Sequence, residues 1–311
     1  MPSLTVAKSA GFNWGSNIHY EPVGVFIGGT SGVGRAMAQA FHSYTGGKCH
    51  IIIIGRNRAA AESIFALMDE PTNTSIKLKR EFIHCDVYLM KNIKETSRVL
   101  LALLPHINFL ILSAGYGSIL NDRDETVEGM AGQLVTRYYS RWRFIHELLP
   151  LMRNASEGGL DAKVMSVLGA QRYKVISVDL DDLALKKSYW GWKAAIQSVN
   201  YNDYMMEEYA IREPTIAFTH IYPGIVNTPA ISRIFDFWLF RPFSPIFQAL
   251  CDYFLVNAED CASYMWYGLL DGEKGFFRRD NLGNCLGMQG YESSARIRQI
   301  VWDHSMRETD R

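Results

Sequence analysis

The chain has 311 residues and no net formal charge; 48% of its residues are hydrophobic and 21% charged. That length holds one large α/β domain or two small ones, and nothing between Pro22 and Gly290 reads as a linker, so a single domain over 21–311 is expected behind an N-terminal arm, 1–20. A neutral balance gives no electrostatic case for nucleic acid, and five scattered cysteines show no metal-like pairing and suit a reducing compartment.

Met1 to Tyr20 lacks the apolar core of a secretory signal and the arginine richness of a transit peptide, and reads as a loose arm on a cytoplasmic protein. An apolar run from Val23 then empties into Gly28, Gly32 and Gly34, and Arg35 to Phe41 starts a helix. Strand, tight turn and helix in that order make a phosphate cradle. Gly28 can take the positive backbone angle, Gly32 lets main-chain amides approach a pyrophosphate, and Gly34 lets the helix pack on the strand. Next, the four isoleucines 51–54 predict a strand buried on both faces of a parallel sheet. It ends in Arg56, Asn57 and Arg58 where an acidic residue would bind ribose hydroxyls. These donors favour a 2′-phosphate, hence NADP(H) over NAD(H), against the plainer reading of solvated arginines at a helix start.

Helical patterning over 59–68 and 92–104 alternates with strands over 79–87 and 108–112, the latter opening into Ser113, Ala114 and Gly115. A long amphipathic helix is expected over 126–152, carrying Arg137. A fifth strand from Lys163 carries Ser166, and a sixth over 215–222 delivers Pro223-Gly-Ile-Val-Asn-Thr228. Closing helices are read over 258–270 and 293–306. The alternation predicts an α/β doubly wound Rossmann fold with a mostly parallel seven-stranded sheet.

The Gly-x-x-x-Gly-x-Gly spacing from Gly28, the Ala114-Gly115 pair, Tyr189-x-x-x-Lys193 followed by Ala194-Ala195, and Pro-Gly-x-Val-x-Thr at 223–228 resemble the short-chain dehydrogenase/reductase family in content and order. The resemblance implies a nicotinamide cofactor held by Gly28, Thr30, Ser31, Gly32, Val33 and Gly34 at the phosphates, by Arg56, Asn57, Asp86 and Val87 at the adenosine, and by Ser113, Ala114 and Gly115 along its length. Lys193 would hold the ribose, and Pro223, Gly224, Val226 and Thr228 would border the nicotinamide. It also implies catalysis by Tyr189 as general acid or base, by Lys193 lowering the tyrosine pKa, and by Ser166 polarising the substrate oxygen. Where the family carries a relay asparagine this chain has Arg137, which cannot accept a hydrogen bond. It would clamp a carboxylate or enolate, or simply sit on a polar helix face.

Two registers stay open for the tyrosine. The interval from Ser166 to Tyr189 is long because 171–187 looks inserted, whereas counting back from Pro223 lands near Lys193 to Ala195, where no tyrosine stands. The first register gives an NADP(H)-dependent oxidoreductase acting on a carbonyl or alcohol of a hydrophobic small molecule, as in divergent fungal members of natural-product pathways. The second gives a non-redox cyclase, isomerase, dehydratase or binding module on the same fold. Residues 231–255 stand where the family has its substrate lid and read as a lid, as a helix in weak contact with a membrane surface, or as core or dimer packing. The resemblance further implies a homodimer or homotetramer.

Overall fold

The structure, a computed structural model, describes residues 2–69, 79–115, 123–170, 177–227, 255–288 and 291–310. Seven strands, β1 (Val23–Ile27), β2 (His50–Gly55), β3 (Arg80–His84), β4 (Phe109–Leu112), β5 (Lys163–Val167), β6 (Ala217–Ile221) and β7 (Gly275–Arg279), form one sheet in the order β3-β2-β1-β4-β5-β6-β7. Every neighbouring pair is parallel. Strand order reverses between β1 and β4, and the crevice above their carboxyl ends is where such sheets take their ligands.

The helices are α1 (Leu4–Asn17), α2 (Gly32–Tyr44), α3 (Arg58–Ala66), α4 (Met90–Leu103), α5 (Gly132–Leu134), α6 (Ser140–Glu157), α7 (Gly191–Arg212), α8 (Ala258–Leu270) and α9 (Ala295–Thr309). Alternate side chains of each strand feed two separate cores, because successive residues point to opposite faces. Ile52, Ile54, Leu110, Leu112 and Val164 pack with Trp142 and Leu148 of α6 and Tyr209 of α7. Ile51, Ile53, Phe109, Ile111 and Met165 pack with Phe41 of α2 and Trp266 of α8. All four isoleucines of β2 are fully buried, each stabilising the fold by about 2 kcal/mol relative to exposure. This is why a continuous apolar run, and not an alternating one, marks the strand.

Three sequence expectations change. The stretch expected to be a loose arm contains α1, whose Trp14 stacks near Trp266 and donates its indole N–H to Asp161 at 3.0 Å. The Tyr20 hydroxyl donates to the same carboxylate at 2.7 Å. The helix expected from 126 begins only at Gly132, because Thr126 to Met130 form a tight turn closed by the Thr126 amide on the Met130 carbonyl. Between α5 and α6, Val135–Tyr139 make a π-helical turn in which the Ser140 amide reaches back to the Val135 carbonyl. Such a turn is a common mark of a functional segment, and Arg137 is at its centre. Residues 228–254, which hold Thr228 and nearly all of the proposed lid, lie outside the described residues. No described helix is long and apolar enough to cross a membrane.

Candidate dinucleotide and substrate site

The turn from β1 to α2 has the conformation that its glycines allow. Gly28 sits at φ +88° and Gly32 at +55°, a region that L side chains enter only with strain. A Cβ on Gly28 would lie 2.5 Å from the Ala114 nitrogen, and one on Gly34 would lie 2.2 Å from Ser113 Oγ and 2.6 Å from the Gly28 carbonyl oxygen. The glycines therefore let the turn, the end of β4 and the start of α2 nest together. Ser113 closes the contact with its amide and its hydroxyl, both donated to the Ile27 carbonyl.

At the start of α2, Ser31 makes no side-chain cap bond, whereas Ser3, Asn57, Asn257 and Ser294 each cap the helix they precede. The first amides of a helix have no partner within it. Here they open on the crevice at the switch point, beside Thr30, Ser31 and Val33, and fit a pyrophosphate.

At the adenosine end, Arg56 is exposed directly after β2. Asn57 is partly committed: its Oδ1 accepts the Ala60 amide at 3.0 Å and caps α3. Arg58 lies over the Phe82 ring at 4.9 Å and 3.9 Å from Glu62. Arg56 thus remains the cation most available to a ribose phosphate. Asp86 follows β3, and its Oδ1 accepts the Tyr88 amide at 3.1 Å, which fixes the carboxylate beside Val87. On the opposite flank Gly224 adopts φ +80°, the Pro223 carbonyl accepts the Cys261 thiol, and Val226 is buried and bridges to Val256.

The ends of β4 and β5 are tied by a residue that sequence reasoning did not single out. Arg141 on α6 is 2% exposed; its Nη1 donates to Ser166 Oγ at 2.5 Å and to the Val167 carbonyl at 2.9 Å, and its Nη2 donates to the Ala114 carbonyl at 2.9 Å. Burial, followed by the charge of Arg137, pushes its pKa down to about 9. Ser166 is fully buried within β5, and its hydroxyl donates to Asn202 Oδ1 at 2.7 Å. Its one proton is spent inside the protein, so in this arrangement Ser166 has no donor for a substrate oxygen. Asn202 Nδ2 in turn donates to the carbonyls of Arg137 and Ser198. Arg137 Nε donates to Ser198 Oγ at 3.1 Å, and burial lowers the arginine pKa. Arg141 hides in an aromatic run, Tyr138-Tyr-Ser-Arg-Trp-Arg-Phe144, and the one signal for it is a charge on the apolar face of a helix.

Tyr189 and Lys193 are not on one helix face, because α7 begins at Gly191 and Tyr189 precedes it. The Tyr189 hydroxyl donates to Gln133 Oε1 at 2.9 Å. Lys193 Nζ donates to Ser188 Oγ at 2.6 Å, and Ser188 Oγ donates to Asp182. Asp182 also accepts the amides of Lys186, Lys187 and Ser188, so the described part of the apparent insertion, 177–187, is a built turn leading into α7. Burial, then the charge of Asp124, raises the Tyr189 pKa against a smaller opposing effect of Arg123. Lys193 is not among these influences. The structure therefore groups Gln133, Arg137, Ser166 and Tyr189 around α5 and its π turn, and leaves Lys193 engaged on the neighbouring turn.

A second buried network steadies the same end of the sheet. The Gly169 amide donates to His220 Nε2 at 3.2 Å, so His220 Nδ1 carries the proton and donates to Asp203 at 2.6 Å. Arg278 Nε donates to the other oxygen of Asp203 at 3.2 Å. The loop after β5 is thereby fastened to β6, α7 and β7.

The family model of the short chain dehydrogenase matches residues 23–237. An Emericella nidulans protein, "Oxidoreductase AN1596", is 34% identical over 212 residues, 68% of this chain and 60% of that one. "Oxidoreductase andH" of Emericella variicolor is 33% identical over 235 residues, 75% of this chain and 66% of that one. The chain thus spans less than two thirds of the length of these relatives. Among solved structures, a "Pseudomonas aeruginosa RhlG/NADP active-site complex" superposes with a TM-score of 0.59 at 15% identity, over 86% of this chain and 98% of that one. The match covers the nesting glycine turn and strands β1 to β6, and the chain belongs to the short chain dehydrogenase family.

Proposed function

We propose that the chain is an NADP(H)-dependent oxidoreductase that interconverts a carbonyl and an alcohol on a hydrophobic small molecule, in fungal natural-product metabolism. The observation that carries the reading is the β1–α2 turn: two positive-φ glycines and an uncapped helix start at the switch point, with Arg56 exposed just after β2. Its relatives, both named as oxidoreductases, support the reaction class. NADP(H) is favoured over NAD(H) by Arg56 and by the lack of an acidic residue after β2.

A bound nicotinamide would supply or accept the hydride exchanged with the carbonyl carbon. Tyr189 gives its phenol proton to the substrate oxygen in the reducing direction and recovers it from solvent. Its raised pKa keeps that proton in place at neutral pH. Lys193, four residues on, would hold the nicotinamide ribose in exchange for Ser188. Arg141 holds the backbone of Ala114 and Val167, which would flank a bound nicotinamide. The protein works as a cytoplasmic homo-oligomer.

One observation favours a second reading, a non-redox cyclase, isomerase or dehydratase: the Ser166 proton is committed to Asn202, and Lys193 does not act on Tyr189. Replacing Tyr189 with Phe separates the two. Under the main reading, NADPH oxidation with an aromatic ketone panel falls at least 100-fold while NADPH binding is kept. Turnover that survives the change overturns the redox role of Tyr189.

A further inference from the structure

Arg137 and Arg141 are four residues apart on the helix that borders the site, and neither meets a carboxylate among the described residues. Arg141 is satisfied by three neutral oxygens, though its Nε is buried without a partner. Arg137 uses only Nε, on Ser198, and its two Nη groups bear no hydrogen bond among the described residues. Two guanidinium charges thus lie at one end of the sheet with no counter-charge among the described residues, an arrangement that an anion would complete.

A second donor points to the same place. Gln133 is 3% exposed, and its Oε1 accepts the Tyr189 hydroxyl, but its Nε2 is buried with no partner among the described residues. It precedes Arg137 by four residues, about one helical turn, so the two share a face. The Tyr189 hydroxyl, the Gln133 amide and the end of Arg137 therefore gather on one face of the α5–π-turn segment. A buried amide without an acceptor is costly, and a guanidinium fork matches a carboxylate by two parallel hydrogen bonds.

We infer that the substrate carries a carboxylate, which docks on the Nη groups of Arg137 with Gln133 Nε2 as a further donor, and so presents its carbonyl toward Tyr189. This rests on the oxidoreductase reading for the carbonyl, but not for the anion. The lowered pKa of Arg137 agrees with the absence of a paired anion; a bound carboxylate would restore it.

The test uses benzoate and its neutral isostere benzamide, titrated by calorimetry into the full-length protein with and without saturating NADPH. Benzoate should bind at least tenfold more tightly than benzamide. Arg137→Met, which keeps the apolar stem, should lose at least tenfold in benzoate affinity with NADPH affinity and circular dichroism unchanged. Arg137→Lys should recover part of the loss, which a merely structural defect would not allow. Equal binding of benzoate and benzamide, no benzoate binding by the wild type, or an Arg137→Met variant that binds benzoate normally would each overturn the inference. Failure of NADPH to bind, with benzoate still held by Arg137, would count against the redox reading and leave the anion site standing.

Discussion

Arg141 Nη1 donates to Ser166 Oγ at 2.5 Å, so the hydroxyl that the family resemblance assigns to the substrate is turned inward, and a buried cation holds it there. The same guanidinium joins Ala114, two residues past the end of β4, and Val167, the last residue of β5. Its role is architectural, and the change Arg141→Met tests it. Removing the guanidinium leaves the Ala114 and Val167 carbonyls without this donor, each worth roughly 1–3 kcal/mol when buried and unsatisfied. Relief of an uncompensated charge offsets part of that. The net loss expected is about 2–4 kcal/mol in chemical denaturation, and the double change with Ser166→Ala should be less than additive.

The turn conformation predicts a sharper effect on the cofactor than on the fold. Gly28→Ala puts a methyl 2.5 Å from the Ala114 nitrogen at a φ of +88°. Turn and β4 end must separate, and the first amides of α2, which would face a pyrophosphate, move with them. Dinucleotide affinity should fall by at least tenfold in a fluorescence titration, while circular dichroism still reports the parallel sheet.

Tyr189 gives a pH signature. Burial and Asp124 raise its pKa above the ordinary tyrosine value, and a general acid is active while protonated, below its pKa. Carbonyl reduction should therefore show no loss attributable to Tyr189 up to about pH 10, the unperturbed tyrosine value, and should decline only above it. Asp124→Asn removes a charge that disfavours the phenolate, so the alkaline limb should move to lower pH. A limb that stays put in Asp124→Asn would show that another group controls the proton.

Much of the fold was legible in residues 23–58 because two kinds of constraint coincide there. Four consecutive buried isoleucines permit little but an internal strand, and the three glycines occupy positions where backbone angle or close approach forbids a side chain. β7 was not placed, because Gly275–Arg279 ends in two arginines whose burial depends on distant partners, Asp203 for Arg278 and Asp271 for Arg279. The packing of α1 was equally hidden: it rests on Trp14 meeting Phe41 and Trp266, far away in sequence. At the site, the helix carrying Arg137 was foreseen, but its π turn was not, since a single i to i+5 bond leaves no mark in apolar periodicity. Arg141 and Asn202 were missed for a related reason. Their partners are main-chain and hydroxyl oxygens on other elements, and no local spacing announces such a contact.

We propose that the crevice between β1 and β4 binds NADP(H) through the glycine turn and Arg56. The decisive experiment is titration of the purified protein with NADPH and NADH, followed by nucleotide fluorescence and repeated with Arg56→Ala. NADPH should bind at least tenfold more tightly than NADH, and Arg56→Ala should remove most of the difference by weakening NADPH alone. Equal affinities, or a preference for NADPH that survives the loss of Arg56, would contradict the assignment of the phosphate site; no binding of either nucleotide would contradict the oxidoreductase reading itself.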